Sequence, residues 1–234
     1  MSEPGTRQMP LALRYPPDQR FETCVGIAPE ALAQLRALAT GDPDGSSGIY
    51  LDGPAGTGKT HLALAACAAA EAGGRRAAYL PLQAAAGRLR DALDALDTAA
   101  LVALDGVDAI AGNRDDEVAL FDFHNRARAS GTALLYTGQA RPDALPLVLP
   151  DLRSRLSQCA RVVLSPLDDD GRRAVLHERA RRRGLAVDPA ALEWLLRRVG
   201  RDLAGLTRLL DQLDHASLAA QRKLTVPFLR ETLG

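Results

Sequence analysis

This chain has no surplus charge. Lys plus Arg number 29 and Asp plus Glu number 29, so its 234 residues carry a formal net charge of zero. A balanced chain has no whole-surface attraction for DNA or for an anionic membrane, so any nucleic-acid contact must be local or supplied by a partner. Cysteine is scarce too: Cys24, Cys67 and Cys159 lie far apart, form no Cys-x-x-Cys pair and leave an odd count. They suggest neither a disulfide framework nor a zinc site, and read as small buried hydrophobes. There is no long apolar run. The longest, around Ala63 to Ala70, is too short and alanine-rich to span a bilayer, and the N-terminus lacks a charged-then-apolar signal pattern. The expectation is a cytoplasmic protein with no membrane partner. What the chain does contain, 47% hydrophobic and 25% charged residues, suits an ordinary globular protein of one or two domains with a sizeable core.

The order of patterns divides it into three. Residues 1–20 hold Pro4, Pro10, Pro16 and Pro17 among polar residues, a density that favours an extended, solvated tail. Pro29 then opens an amphipathic helix with Leu32, Leu35 and Leu38 on one face, ending before Gly41. From there strands and helices alternate. Gly48 to Leu51, Ala77 to Leu82, Leu101 to Asp105, Thr132 to Thr137 and Arg161 to Leu164 read as short apolar strands with helices between them, the signature of a parallel sheet covered on both faces. After Pro166 the strands stop. Helices capped by Asp188, Asp202 and Thr225 carry leucine stripes, so an α/β core at 21–165 and a small all-α lid at 166–234 are expected.

Gly53-Pro54-Ala55-Gly56-Thr57-Gly58-Lys59-Thr60 matches G-x-x-x-x-G-K-[ST] in full, between a predicted strand and a predicted helix. Its glycines let backbone N–H groups turn around phosphates, while the helix N-terminus adds a partial positive charge. Lys59 can reach the β- and γ-phosphates, and the Thr60 hydroxyl can ligate Mg²⁺. ATP or ADP is the expected cofactor, with Mg²⁺ where a metal is present. The carboxylate such a site needs at the end of a neighbouring strand is Asp105. ATPases of this kind usually follow it with a second acid that activates water; here that position is Gly106, which can do no general-base work. Weak intrinsic hydrolysis is therefore expected. Asp108 reads as a surface carboxylate, His61 as a partly exposed helix residue, and Arg179-Ala180-Arg181-Arg182-Arg183 as a solvated helix face.

Four stretches now carry a resemblance: the P-loop, Leu104-Asp105-Gly106-Val107-Asp108-Ala109-Ile110-Ala111-Gly112, Leu149-Pro150-Asp151-Leu152-Arg153-Ser154-Arg155-Leu156, and the end running from Leu210-Asp211-Gln212-Leu213-Asp214 to Val226-Pro227-Phe228. Together they resemble the DnaA-related AAA+ regulators of bacterial replication initiation, the Hda family. The resemblance implies an AAA+ core with a helical lid, and a regulator that stimulates the ATPase of the initiator DnaA instead of hydrolysing ATP vigorously itself. The alternative is a self-sufficient AAA+ ATPase such as a helicase loader or remodeller. It further implies an arginine finger acting in trans, Arg155, with Arg153 the second candidate and expected to pair with Asp151.

By the same resemblance, Gln8-Met9-Pro10-Leu11-Ala12-Leu13 is similar to the hexapeptide that docks replication proteins on the β sliding clamp, with Gln8, Met9, Pro10, Leu11 and Leu13 as its contacts. Phe21 and Val25 correspond to the segment that meets the adenine ring, although packing under the lid fits them equally well, and Thr137 and Gln139 are candidates for a polar sensor. Ala204 stands where the family usually has an arginine that senses the γ-phosphate, with Arg201 and Arg208 one turn to either side; this agrees with Gly106 in pointing to an ADP-type ligand. The initiator continues into a DNA-binding domain where this chain stops at Gly234, so DNA is expected to be met only through the clamp. The oligomeric state stays open, a homo-oligomer included.

Overall fold

The computed structural model describes residues 19–198, 203–220 and 222–233. A single 3₁₀ turn, Phe21–Thr23, leads into α1 (Pro29–Thr40), which has proline at its first position and stops at Gly41 in the left-handed region. Then follow β1 (Gly48–Asp52), α2 (Lys59–Ala72), β2 (Ala77–Pro81), α3 (Leu82–Ala85), α4 (Leu89–Asp94), β3 (Leu101–Asp105), α5 (Arg114–Ala129), β4 (Ala133–Gly138), α6 (Pro150–Ser157) and β5 (Ala160–Val163). The lid helices are α7 (Asp169–Arg182), α8 (Pro189–Arg198), α9 (Leu203–Ala220) and α10 (Val226–Leu233). The strand expected to include Leu82 closes at Pro81, and Leu82 opens α3 instead. Proline has no N–H to continue a ladder. Asp202, expected to open α9, lies outside the described residues.

The five strands lie in the order β2-β3-β4-β1-β5, and every neighbouring pair is parallel. Because successive side chains in a strand face opposite ways, the three central strands β1, β3 and β4 each feed two cores. Val102 and Leu104 point with Tyr50, Leu134 and Tyr136 into one, covered by α4, α5 and α6. Leu101 and Ala103 point with Ile49, Leu51 and Leu135 into the other, covered by α1 and α2. Burial on both faces is why these strands read as unbroken apolar runs. The edge strand β5 is fastened by a fork: Arg161 Nε and Nη2 donate to the two oxygens of Asp52 at 2.7 and 2.8 Å.

A third apolar cluster lies outside the sheet. Leu176 of α7, Leu192 and Leu195 of α8, Leu210 and Leu213 of α9, and Phe228 and Leu229 of α10 form its centre. The molecule is thus a parallel α/β core followed by an all-α helical lid, the expected architecture. No helix among the described residues is long and apolar enough to cross a membrane.

Candidate functional site

With β4 between β1 and β3, the strand order brings the C-terminal ends of three strands together, and an open parallel sheet leaves its crevice there. The turn between β1 and α2 is the P-loop. Its first glycine is required by space: a Cβ on Gly53 would sit 2.2 Å from the Leu164 carbonyl oxygen. Lys59, at the start of α2, folds back so that Nζ donates to the Gly53 and Pro54 carbonyls at 2.6 and 2.7 Å. Burial lowers its pKa, opposed by the charges of Asp108, Asp105 and Asp52. Thr57 is buried and its hydroxyl donates to the Pro54 carbonyl at 2.9 Å.

Asp105, at the end of β3, organises the floor. Its Oδ2 accepts from the Thr60 hydroxyl at 2.8 Å and from the Tyr79 phenol at 2.7 Å, and its Oδ1 accepts from the Thr137 hydroxyl at 2.5 Å. Thr137 Oγ1 also accepts from the Gly106 amide at 2.8 Å, joining β3 to β4 at this level. Tyr79 is held well above its ordinary pKa by burial first and then by its bond to Asp105. Thr60 and Asp105 offer an oxygen-only pair. Among the described residues no group of three or more His, Cys, Asp or Glu could hold a metal, so a metal here would draw its remaining ligands from phosphate and water, a donor set that fits Mg²⁺.

A cleft of about 690 Å³ lies above this floor. Ala55, Gly56, Thr57, Gly58, Lys59, Thr60, Asp105, Gly106, Thr137 and Gln139 line its polar end; Gly53 and Pro54 do not line it, and act through their carbonyls on Lys59. Val25 stands at the apolar end with Cys24, Ile27, Leu167 and Val175. Phe21 corrects the expectation for this segment: it is buried with Leu35, Leu38 and Leu62 in the core of α1 and α2, neither at the cleft nor under the lid. A ring that size, 4% exposed, gains more from full burial than from a cleft wall.

Two residues read otherwise from the sequence also belong here, together with His61, which is the partly exposed helix residue expected. Asp108 is not a surface carboxylate: it lines the cleft, and both its oxygens accept from the Gln139 amide, at 2.9 and 3.0 Å. Arg179 of α7 reaches the cleft, whereas Arg181 and Arg182 pair with Glu178 on the helix surface at 2.8 and 2.7 Å. His61 lines the cleft from α2, with Nε2 2.9 Å from the Thr23 hydroxyl.

The two arginines of α6 lie away from the cleft. Arg153 is half-buried and donates through Nη2 to the Leu147 carbonyl, so the expected pairing with Asp151 gives way to a backbone acceptor in the loop before α6. Arg155 is exposed, and its guanidinium has no hydrogen-bond or ion-pair partner among the described residues. Gln8, Met9, Pro10, Leu11 and Leu13 lie outside the described residues, as does Arg201. Ala204 and Arg208 fall on α9, where their side chains are not described.

Residues 169–233 match the family model described as Hda, lid domain, and residues 49–156 match that of the ATPase family associated with various cellular activities (AAA). Among solved structures, domain III of the Thermotoga maritima replication initiation protein DnaA is similar, with a TM-score of 0.78 at 18% identity over 93% of this chain and 98% of that one. AMPPCP-bound DnaA from Aquifex aeolicus has a TM-score of 0.70 at 19% identity, over 86% of this chain and 66% of its own. A replication initiator DnaA bound to AMPPCP and single-stranded DNA gives 0.69 at 21%, again over 86% and 66%. This chain therefore spans slightly less than two thirds of the two AMPPCP-bound initiators it matches. Identities this low show the shared fold.

Proposed function

With an AAA core at residues 49–156 and an Hda lid at residues 169–233, the chain is a DnaA-related, Hda-like AAA+ nucleotide-binding protein, and we propose that it regulates a partner ATPase instead of turning over ATP vigorously itself. In this reading residues 1–20 are a tail that docks through Gln8, Met9, Pro10, Leu11 and Leu13 on the DNA-loaded β sliding clamp, 21–165 are the nucleotide-binding core, and 166–234 are the lid. The resident ligand is of the ADP type, held by the P-loop, with Mg²⁺ at Thr60 and Asp105 where a metal is bound. The partner is the initiator DnaA, whose ATP hydrolysis is stimulated so that chromosome replication does not restart.

One contrast carries this proposal. The position that should activate water in the chain's own site is Gly106, with no side chain and nothing within 4 Å of where a Cβ would be, while Arg155 stands exposed on α6, away from that site and unpaired among the described residues. A site with no acid at the position after Asp105, together with an arginine facing outward, suits a protein that completes another subunit's site. The planar guanidinium fork can take two oxygens of a γ-phosphate and neutralise the charge that redistributes there during transfer. Thr60 and Asp105 would hold a Mg²⁺ where one is bound, and its charge would offset that of the phosphates. Thr137 and Gln139 keep the floor in place through Asp105 and Asp108.

The test is steady-state ATP turnover by the protein alone, by the initiator alone, and by the two together on clamp-loaded DNA. Little turnover alone and clear stimulation of the initiator are expected. Arg155→Ala should lose about 10³-fold or more of the stimulation while keeping ADP binding, and Arg155→Lys should recover little of it. Robust turnover by the protein alone overturns the regulatory reading in favour of a self-sufficient ATPase. An Arg155→Ala protein that stimulates like wild type overturns the finger.

A further inference from the structure

The helix that carries Arg155 starts without a cap of its own. Its N-cap is Leu149, whose side chain makes no capping bond, and Pro150 follows at the first position. Leucine has no oxygen to offer the first turn, and proline has no N–H. The start of α6 is held instead by a carboxylate from another element. Glu117, in the first turn of α5, is 0% exposed. Its Oε2 accepts from the Leu149 and Val148 amides at 2.7 and 2.9 Å, while its Oε1 accepts from Gly112 at 2.7 Å and again from Val148 at 3.1 Å. A buried carboxylate is costly unless its lone pairs are met; here three backbone amides meet them.

Those amides come from two loops, one descending from Asp105 and one leading into α6. Arg153 closes the other side by donating to the Leu147 carbonyl. Residues 147–149 are therefore gripped from both sides, immediately before the helix. Arg155, two residues further on than Arg153, has no side-chain partner among the described residues, so the backbone of α6 alone sets where its guanidinium starts from.

We propose that Glu117 is a positioning residue for the Arg155 finger: its buried carboxylate fixes the entry of α6 and so aims the arginine at the partner's γ-phosphate. The proposal rests on the trans-finger reading above. Leu152 and Leu156, both 0% exposed, anchor α6 independently, so loss of the carboxylate loosens the start of the helix without detaching it.

Glu117→Gln keeps the shape but turns an NH₂ group toward amide donors. In the full chain, with initiator and clamp-loaded DNA, its maximal stimulated rate should fall about 10- to 100-fold, the loss that small misplacements of a catalytic group produce. The concentration giving half-maximal stimulation and the ADP-induced rise in melting temperature should stay near wild type, and amide hydrogen exchange should quicken across 147–149 but not in the P-loop. Adding Arg155→Ala should cost nothing beyond Arg155→Ala alone, because the two act through one group. Should Glu117→Gln lose its ADP-induced stabilisation through misfolding, Glu117→Asp, one methylene shorter with its charge kept, is expected to show the same pattern with a smaller loss. The proposal is overturned if a folded variant stimulates at the wild-type maximal rate while Arg155→Ala does not, or if the double variant loses rate multiplicatively. Normal stimulation by Arg155→Ala itself identifies the finger reading as what failed, and the positioning role falls with it.

Discussion

Lys59 and Gly106 show how single residues in the site carry opposite constraints. Lys59 keeps a charge against the backbone, with its ammonium on two P-loop carbonyls and three carboxylates raising the pKa that burial lowers. Lys59→Ala removes the charge that meets phosphate. A ligand that binds only the native state stabilises it by about 2.7 kcal/mol at a hundred times its dissociation constant, so an ADP concentration that raises the wild-type melting temperature should leave that of the mutant nearly unchanged. Equal shifts would place the phosphate site elsewhere. Gly106 is constrained by backbone alone: its φ is +85° and the space around a Cβ is open. Gly106→Glu should therefore cost about 1–2 kcal/mol in denaturant unfolding, and Gly106→Asn distinctly less, since asparagine tolerates the left-handed region. Equal costs would mean that sterics, not φ, govern the position.

At the scale of one element, α5 acts as a brace for loops that follow other strands. Asp116 accepts from the Gly87 and Leu89 amides at 2.7 and 3.2 Å, and so holds the start of α4, as Glu117 holds that of α6. Two turns on, His124 is 6% exposed, with Nδ1 2.9 Å from the Tyr136 hydroxyl of β4. Burial, then the charges of Arg128 and Arg155, push its pKa down from 6.5 to about 4. In the unfolded chain it takes up a proton near 6.5, whereas the native state resists until about 4. The unfolded state binds more protons in that window, so the contribution of His124 is complete above 6.5 and is lost progressively as the pH falls towards 4. His124→Gln keeps a polar partner for Tyr136 without titrating. Its melting temperature should fall less than the wild type's between about pH 7 and 5, and an equal fall would remove His124 from the account.

Across the whole molecule, the cleft belongs to two bodies at once: the P-loop and Asp105 come from the core, and Val175 and Arg179 from α7 of the lid. Ligand binding should therefore tie lid to core, and Arg179→Ala should weaken ADP by about tenfold in titration calorimetry, the effect of one lost charge-assisted bond; unchanged affinity would make Arg179 a bystander. The tail is expected to work separately. Removing residues 1–15 should abolish clamp pull-down and leave the ADP-induced stabilisation intact, whereas retained pull-down would put docking elsewhere. The sequence by itself determined the alternation of strands and helices, the P-loop and the strand-end aspartate, because each is written in short-range spacing: eight residues for the loop, and periods of two and 3.6 for the elements. Phe21, Tyr79, Asp108, Arg179 and Glu117 were decided only by tertiary structure. Tyr79 meets Asp105 across 26 residues, and Asp108 meets Gln139, as Glu117 meets Val148, across 31. Periodicity says which side of a strand faces a core, but not which strand lies beside it. The order β2-β3-β4-β1-β5, which separates β1 from β2 by two strands, is settled by how helices cover both faces, and that order brings these side chains together.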